Sequence, residues 1–135
     1  MAVAGRVAYV DSSAFVKLVV AEAESQALQR ALARWPDRAS ATLLRTETVR
    51  SLRRSGNEKY VPLARRLLRS VHMIRIDEPL LDRAAELDPP ELRSLDAIHL
   101  AAALGLSTDL GVIFAYDTRL RQAAEVHGLD VASPG

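Results

Sequence analysis

The chain has 135 residues and no cysteine; 49% of its residues are hydrophobic and 26% are charged. This length and composition predict one globular domain, residues 1–135, with a hydrophobic core of its own. The lack of cysteine excludes disulfides, thiolate catalysis and cysteine-based zinc sites. We see no apolar run long enough to cross a membrane and no secretory signal, so we expect no membrane association and a cytoplasmic location.

Short β-branched segments alternate with amphipathic segments along the chain. The predicted strands are Val7–Val10, 38–41, 73–76, 112–116 and 129–132. The predicted helices are 24–35, Leu43–Arg54, 60–71, 77–87, 92–106 and Thr118–Val126. This alternation predicts an α/β fold, in which helices cover both faces of a parallel sheet. Residues 1–5 precede the first strand and are expected to be a flexible N-terminus.

The charges are distributed unevenly, although the net charge is only +1. Residues 45–69 carry eight basic side chains and two acidic ones, whereas residues 77–96 are mainly acidic. A basic block can bind a polyanion such as nucleic acid, but the plainer interpretation is a solvated helix face. Aromatic residues make up only 4% of the chain, which disfavours a platform for base stacking.

Two of the predicted strands lead into an aspartate. The segment "VAYVD" ends on Asp11, and the segment "VIFAYD" ends on Asp117. Parallel strands end at the same edge of a sheet, and ligands of α/β folds bind beyond that edge. We therefore expect the two carboxylates to lie on the same edge, close together if their strands are neighbours.

Two further acids lie inside otherwise apolar helical patterns. Glu47 belongs to "ATLLRTETVRSL" and Asp96 to "LRSLDAIHLAAAL". Their plainer roles are an ion pair with Arg50 and a favourable interaction with the helix dipole, respectively. Four carboxylates at one edge would repel and raise each other's pKa, so a cation is expected to stabilise them. Oxygen-only ligands indicate Mg²⁺ or Mn²⁺, and a metal beside a basic surface favours phosphodiester chemistry.

Four segments together resemble a known family. They are "YVDSSAFVKLVVAEAES", "LLRTETVRSLRR", "LRSLDAIHLAAAL" and "FAYDTRLRQAAEVHGLDVASPG". In order and spacing they resemble the four acidic motifs of PIN-domain ribonucleases, and more narrowly those of VapC toxins from type II toxin–antitoxin pairs. The resemblance covers essentially the whole chain. It implies a PIN-like three-layer α/β/α fold with a central parallel sheet of about five strands in the order 3-2-1-4-5.

The resemblance also implies an activity and partners. It implies a toxin that is a metal-dependent endoribonuclease hydrolysing RNA phosphodiester bonds, a homodimer, and a cognate VapB-type antitoxin whose C-terminal segment blocks the site. Asp11, Asp96 and Asp117 are assigned to Mg²⁺ or Mn²⁺, directly or through water. Glu47 completes the site and positions or deprotonates the attacking water. Ser13 is assigned a hydrogen bond to the first carboxylate.

Four further residues need an interpretation. Many family members have Thr or Ser two residues before the fourth acid, where this chain has Ala115, and Thr118 is the candidate to supply that hydroxyl instead. His99 follows Asp96 by three residues and is interpreted as a packed, hydrogen-bonded structural residue outside the site, with metal ligand or general base as the alternative. Lys17 is interpreted as a helix residue whose amine extends to solvent.

Two other functions remain open from the sequence. In an aspartyl-phosphate phosphatase Asp11 would be the nucleophile, but such enzymes usually have a second acid two residues on, where Ser13 stands, and a lysine partner. In a non-catalytic protein-binding module the acids would be helix caps. Metal binding distinguishes the module from the enzymes, and a phosphoenzyme distinguishes the phosphatase from the nuclease.

Overall fold

The computed structural model describes residues 5–135, so the predicted flexible N-terminus, apart from Gly5, lies outside the described residues. The strands are β1 (Val7–Val10), β2 (Asp37–Ala41), β3 (His72–Ile74), β4 (Leu110–Phe114) and β5 (Val131–Ala132). All paired strands are parallel, and the order across the sheet is β3-β2-β1-β4-β5. This confirms the predicted parallel sheet and its strand order.

The helices of the described residues are α1 (Ser12–Val19), α2 (Ser25–Leu32), α3 (Leu43–Arg54), α4 (Val61–Leu68), α5 (Glu78–Ala85), α6 (Ser94–Leu104) and α7 (Thr118–Val126). The bounds predicted for α3 and α7 are confirmed. Helix α1 is absent from the predicted ranges because its apolar, valine-rich run also suits a strand. Its start is set by Asp11, whose carboxylate accepts a hydrogen bond from the Ala14 N–H and caps the helix. No helix within residues 5–135 is long and apolar enough to span a membrane.

The side chains of the central strands point alternately to the two faces of the sheet, and this divides the core into two halves. Ala8 and Val10 of β1 pack in a cluster with residues of α1 to α4. Tyr9, between them, points to the opposite face and packs with residues of α5 to α7. Successive side chains of a strand point to opposite faces, so a strand that is apolar throughout requires cover on both. The result is the expected three-layer α/β/α arrangement, with Tyr9 under α6.

A register shift between β1 and β4 aligns the two strand ends that lead to the candidate site. Val7 pairs with Leu110 and Ala8 with Val112, so Gly111 is an extra residue in β4. A Cβ at Gly111 would lie 2.2 Å from the Trp35 ring, which explains why glycine stands there. Beyond the shift Val10 is opposite Phe114, and the Asp11 N–H donates to the Phe114 carbonyl at 3.2 Å.

Candidate active site

Asp11 is a buried carboxylate at the carboxyl end of β1. Its side chain is only 3% exposed. It accepts hydrogen bonds from the Ala14 N–H at 2.9 Å and from the Ser13 hydroxyl at 2.7 Å. Burial raises the pKa of Asp11 to about 6, and these two hydrogen bonds only partly oppose the rise. The carboxylate is therefore held in place with much of its charge uncompensated.

Ser13 connects the ends of β1 and β4. The hydrogen bond predicted from Ser13 to Asp11 is present in the structure. The same hydroxyl oxygen accepts a hydrogen bond from the Tyr116 N–H at 2.9 Å and a longer one from the Asp117 N–H at 3.3 Å. One hydroxyl thus fixes the Asp11 carboxylate relative to the backbone that carries Asp117.

Asp117 lies at the N-terminus of α7 and is exposed to solvent. Its Oδ1 atom accepts hydrogen bonds from the Arg119 N–H at 2.8 Å and the Leu120 N–H at 3.1 Å, so it caps the helix. Thr118 is also exposed, and its hydroxyl has no hydrogen-bond partner among the described residues. The hydroxyl that reaches the backbone beside the fourth acid is that of Ser13, and the role considered for Thr118 stays a prediction.

Glu47 lies in the second turn of α3 and is joined to a residue of α6. Its side chain is 18% exposed, and its Oε1 atom lies 2.5 Å from Nε2 of His99. The pair considered between Glu47 and Arg50 is not present in the described part of the chain. His99 is buried and hydrogen-bonded as expected, and its partner is a predicted site carboxylate. The three-residue spacing from Asp96, one helical turn, was the signal in the sequence.

The pKa of Asp96 responds to the charges of other predicted acids. It lies in the first turn of α6 and is half-buried. Burial raises the pKa of Asp96, and the negative charges of Asp117 and Glu47 raise it further. The charge of Glu47 also contributes to the raised pKa of Asp11. The fold thus brings all four predicted carboxylates into one electrostatic neighbourhood at the carboxyl edge of the sheet. No three acidic or histidine side chains within residues 5–135 are close enough together to hold a metal ion as they stand.

A cavity of about 420 Å³ opens beside Glu47. We call it the groove; its lining includes Ser13, Glu47, Arg50, Arg54 and Leu95. Arg50 and Arg54 are exposed, lie one turn apart on α3, and have no carboxylate within 4.0 Å among the described residues. Arg53 lies between them in sequence but pairs with Glu58 at 3.3 Å. The predicted basic block is therefore divided, and Arg50 and Arg54 share the groove with Glu47.

Lys17 is held away from the role that a phosphatase would require. Its amine forms ion pairs with Glu22 at 2.6 Å and Glu24 at 3.0 Å, and it lies over the Tyr116 ring at 4.8 Å from the centroid. Two carboxylates already bind this amine, so it is not available to a phosphorylated Asp11. This arrangement disfavours the phosphatase alternative.

The comparison with protein families agrees with these observations. The PIN domain family model matches residues 8–126, a range that includes all four acids. The chain belongs to the PIN-domain family. Ribonuclease VapC46 of Mycobacterium tuberculosis is 47% identical over 126 residues, covering 93% of this chain and 96% of the relative. Ribonuclease VapC47 of the same species is 37% identical over 131 residues, covering 94% and 96%. Within the PIN-domain family the chain is thus of the VapC type, as the sequence motifs predicted.

Two solved structures share the fold. VapC20 of Mycobacterium tuberculosis, described as a sarcin-ricin loop cleaving toxin, aligns with a TM-score of 0.71 at 21% identity, covering 86% of this chain and 94% of that one. A toxin–antitoxin complex from Klebsiella pneumoniae also gives 0.71, at 22% identity, covering 95% and 98%. At such identities the likeness confirms the three-layer architecture.

Proposed function

We propose that this VapC-type PIN-domain protein is the toxin of a toxin–antitoxin pair and hydrolyses RNA phosphodiester bonds at Asp11, Glu47, Asp96 and Asp117. The proposal is supported by the electrostatic coupling among these four carboxylates, which come from four different elements, and by a groove that Glu47 lines together with two arginines that have no carboxylate within 4.0 Å among the described residues. Structural ion pairing does not account for such a set, because carboxylates that close raise one another's pKa. The relatives of the VapC type, which are named ribonucleases, support the same activity.

The donor set suits a divalent cation such as Mg²⁺ or Mn²⁺. All four side chains offer carboxylate oxygen, which these hard cations prefer, and the mutual repulsion seen at Asp96 is relieved by a positive charge. Asp11, Asp96 and Asp117 would hold the ion, with Glu47 completing the site. A cation bound there supplies Lewis acidity toward the phosphoryl group and lowers the pKa of water.

The protein's own residues divide the remaining tasks. Ser13 and the Ala14 N–H hold the Asp11 carboxylate in one orientation. Both capping bonds to Asp117 go to Oδ1, so Oδ2 has no hydrogen-bond partner within residues 5–135. Glu47 likewise uses Oε1 for His99. Its Oε2 has no partner in the described part of the chain, and in our proposal it orients the attacking water and accepts its proton.

We assign Arg50 and Arg54 to the RNA backbone on either side of the scissile phosphate. Both line the groove with Glu47, and a phosphate there would be the counter-charge that they lack in the described chain. A second cavity of about 330 Å³ shares Arg50 and is also lined by Arg45 and Arg65, which extends the basic track away from the acids.

The proposed partners follow from the same surface. A VapB-type antitoxin would block the groove with its C-terminal segment; the structural likeness to a chain of a toxin–antitoxin complex supports this pairing. The VapC-type motifs also imply a homodimer, and we keep it as part of the proposal. We place the protein in the cytoplasm, where its RNA substrate is.

The deciding experiment is cleavage of a mixed RNA pool by the purified protein in Mn²⁺ or in EDTA, beside Asp96→Asn. We expect cutting in Mn²⁺ that is absent in EDTA and in the variant. Cutting that persists unchanged in EDTA or in Asp96→Asn would overturn the proposed site. An absence of both cutting and Mn²⁺ binding would favour the non-catalytic binding module, and a phosphoenzyme would favour the phosphatase.

The arginine assignment has a matched control on the same helix. Arg50→Gln and Arg54→Gln should each weaken RNA binding and reduce its salt dependence by about one phosphate contact, whereas kcat changes little. Arg53→Gln removes an equal charge from a residue that pairs with Glu58, and it should bind RNA like the wild type. Equal losses for all three variants would indicate a general charge effect and contradict the assignment.

A further inference from the structure

A chain of buried hydrogen bonds connects the backbone of β2 to Glu47. The Ala41 N–H donates to the Tyr9 hydroxyl at 3.1 Å. That hydroxyl lies 2.6 Å from Nδ1 of His99, and Nε2 of His99 lies 2.5 Å from Oε1 of Glu47. Tyr9, Ala41 and His99 are at most 2% exposed, so water cannot replace any of these bonds. The chain ends at the only member that faces the groove.

The direction of each bond depends on the protonation of Glu47 and His99, and we take the carboxylate as ionised and the imidazole as neutral. An ionised Glu47 has no proton and only accepts, so Nε2 of His99 must donate. In a neutral imidazole Nδ1 then has a lone pair, and the Tyr9 hydroxyl donates to it while accepting from the Ala41 N–H. Burial raises the pKa of Tyr9, so the phenol keeps the proton that it donates. The two rings also meet edge-to-face at 5.7 Å and 80°, which limits rotation of the imidazole.

We propose that His99, held in the Nε2–H tautomer by Tyr9, is a positioning residue that fixes the Glu47 carboxylate in the groove. The inference rests on the proposed function in one respect, the role of Glu47 in the reaction. An apolar side chain at position 99 could fill the same space without any hydrogen bond. The imidazole instead bonds to both the Tyr9 hydroxyl and the Glu47 carboxylate, so packing alone does not explain why a histidine stands there. Residues that orient a metal-site ligand in this way typically affect metal affinity or activity by about 10–100-fold.

The tautomer can be tested without any RNA. The ¹⁵N NMR signals of His99 in the metal-free protein should show protonated Nε2 and unprotonated Nδ1. In Tyr9→Phe, which removes the hydroxyl donor, the two nitrogens should move toward a mixture of tautomers. Protonated Nδ1 in the wild-type protein, alone or together with Nε2, would overturn the proposed arrangement.

The positioning role is tested with two substitutions at the same place. His99→Leu fills the space without a donor, and we expect Mn²⁺ affinity or kcat to fall about 10–100-fold while KM for RNA stays within about twofold. His99→Gln returns an N–H toward Glu47 and should recover most of the loss. His127→Gln, at a half-buried histidine bonded to the Asp88 carbonyl, is the control and should behave as wild type. Thermal unfolding of each variant sets an assay temperature at which all are folded.

Several outcomes would separate this inference from the proposed function. Wild-type kcat and Mn²⁺ affinity in His99→Leu would overturn the positioning role even if RNA cleavage is confirmed. A further loss when His99→Leu is added to Glu47→Gln would also contradict it, because a residue acting through Glu47 has no effect once that carboxylate is gone. If the wild-type protein does not cleave RNA, the proposed function fails, while the tautomer and Mn²⁺ affinities still decide the role of His99.

Discussion

The ends of β1 and β4 are alike in sequence and different in the environment that they give their aspartates. Both strands are apolar, parallel and adjacent, and both aspartates cap the helix that follows. Asp11 follows Val10 directly and is 3% exposed, whereas Ala115 and Tyr116 separate Asp117 from Phe114 and leave it exposed. Two additional residues in the connection are enough to move the second carboxylate out of the core.

This difference indicates two roles for carboxylates of the same type. Asp11 is fixed by Ser13 and the Ala14 N–H, and its charge is costly because burial removes water from it. Asp117 has solvent access and one oxygen without a hydrogen-bond partner in the described chain. We infer that Asp11 is the rigid part of the site and Asp117 is the part that adjusts when a cation or RNA binds.

The largest expected effect is on cleavage by the aspartate variants. Asp11→Asn should reduce kcat more than about a hundredfold. This exceeds the loss of activity that usually follows when a residue hydrogen-bonded to a metal ligand is replaced. Asp117→Asn should lose less, because water can reach its position and supply an oxygen. Single-turnover cleavage of one RNA in Mn²⁺ measures both. A greater loss for Asp117→Asn would reverse the roles inferred for the two aspartates.

The same Asp11→Asn variant should be more stable than the wild type at high pH. The pKa of Asp11 is about 6 in the folded protein, whereas an aspartate carboxyl in water has a pKa of 3.8. Folding therefore favours the protonated form. The corresponding stability is present below pH 3.8 and is lost as the pH rises through 6. Relative to the variant, the wild type should lose roughly 3 kcal/mol of unfolding free energy between pH 3.8 and pH 8. Denaturant unfolding in EDTA measures this change, and a constant difference across that pH range would contradict the buried charge.

Ser13→Ala tests the connection between the two strand ends. It removes the donor to Asp11 and leaves the Tyr116 N–H without its acceptor, so we expect a loss of about 1–3 kcal/mol in unfolding free energy. Cleavage should fall about 10–100-fold because the Asp11 carboxylate is no longer held. The neighbouring Ser12→Ala is the control, since the Ser12 hydroxyl has no hydrogen-bond partner in residues 5–135. Equal effects at both serines would argue against a specific connection.

The smallest expected effect is that of Thr118→Ala. The Thr118 side chain is exposed and its hydroxyl bonds to no other described residue, so stability should change by less than about 0.5 kcal/mol. Cleavage should stay within about twofold of the wild type. A loss as large as that of Ser13→Ala would show that Thr118 does supply the hydroxyl considered from the sequence, and that Asp117 adopts another arrangement when RNA is bound.

The sequence predicted those features that depend on residues close together in the chain. The apolar runs before Asp11 and Asp117 gave the two central strands, and the helical spacing around Glu47 gave the bounds of α3. Family motifs supplied the strand order, which local periodicity does not contain. Helix α1 was missed because its valines suit a strand as well as a helix, and capping by Asp11 decided between them.

What the sequence by itself determined is the pattern of strands and helices around the four candidate carboxylates, because strand and helix periods are local properties, and it predicts that these carboxylates gather at one edge of the sheet. Only the tertiary structure decided their partners. Glu47 and His99 are 52 positions apart, and Ser13 and Tyr116 are 103 apart. Such bonds depend on how α3 and α6 pack against the sheet and on how β1 and β4 align. No local pattern encodes that packing, so the bond from the Tyr116 N–H to Ser13 and the bond between His99 and Glu47 became visible only in the folded protein.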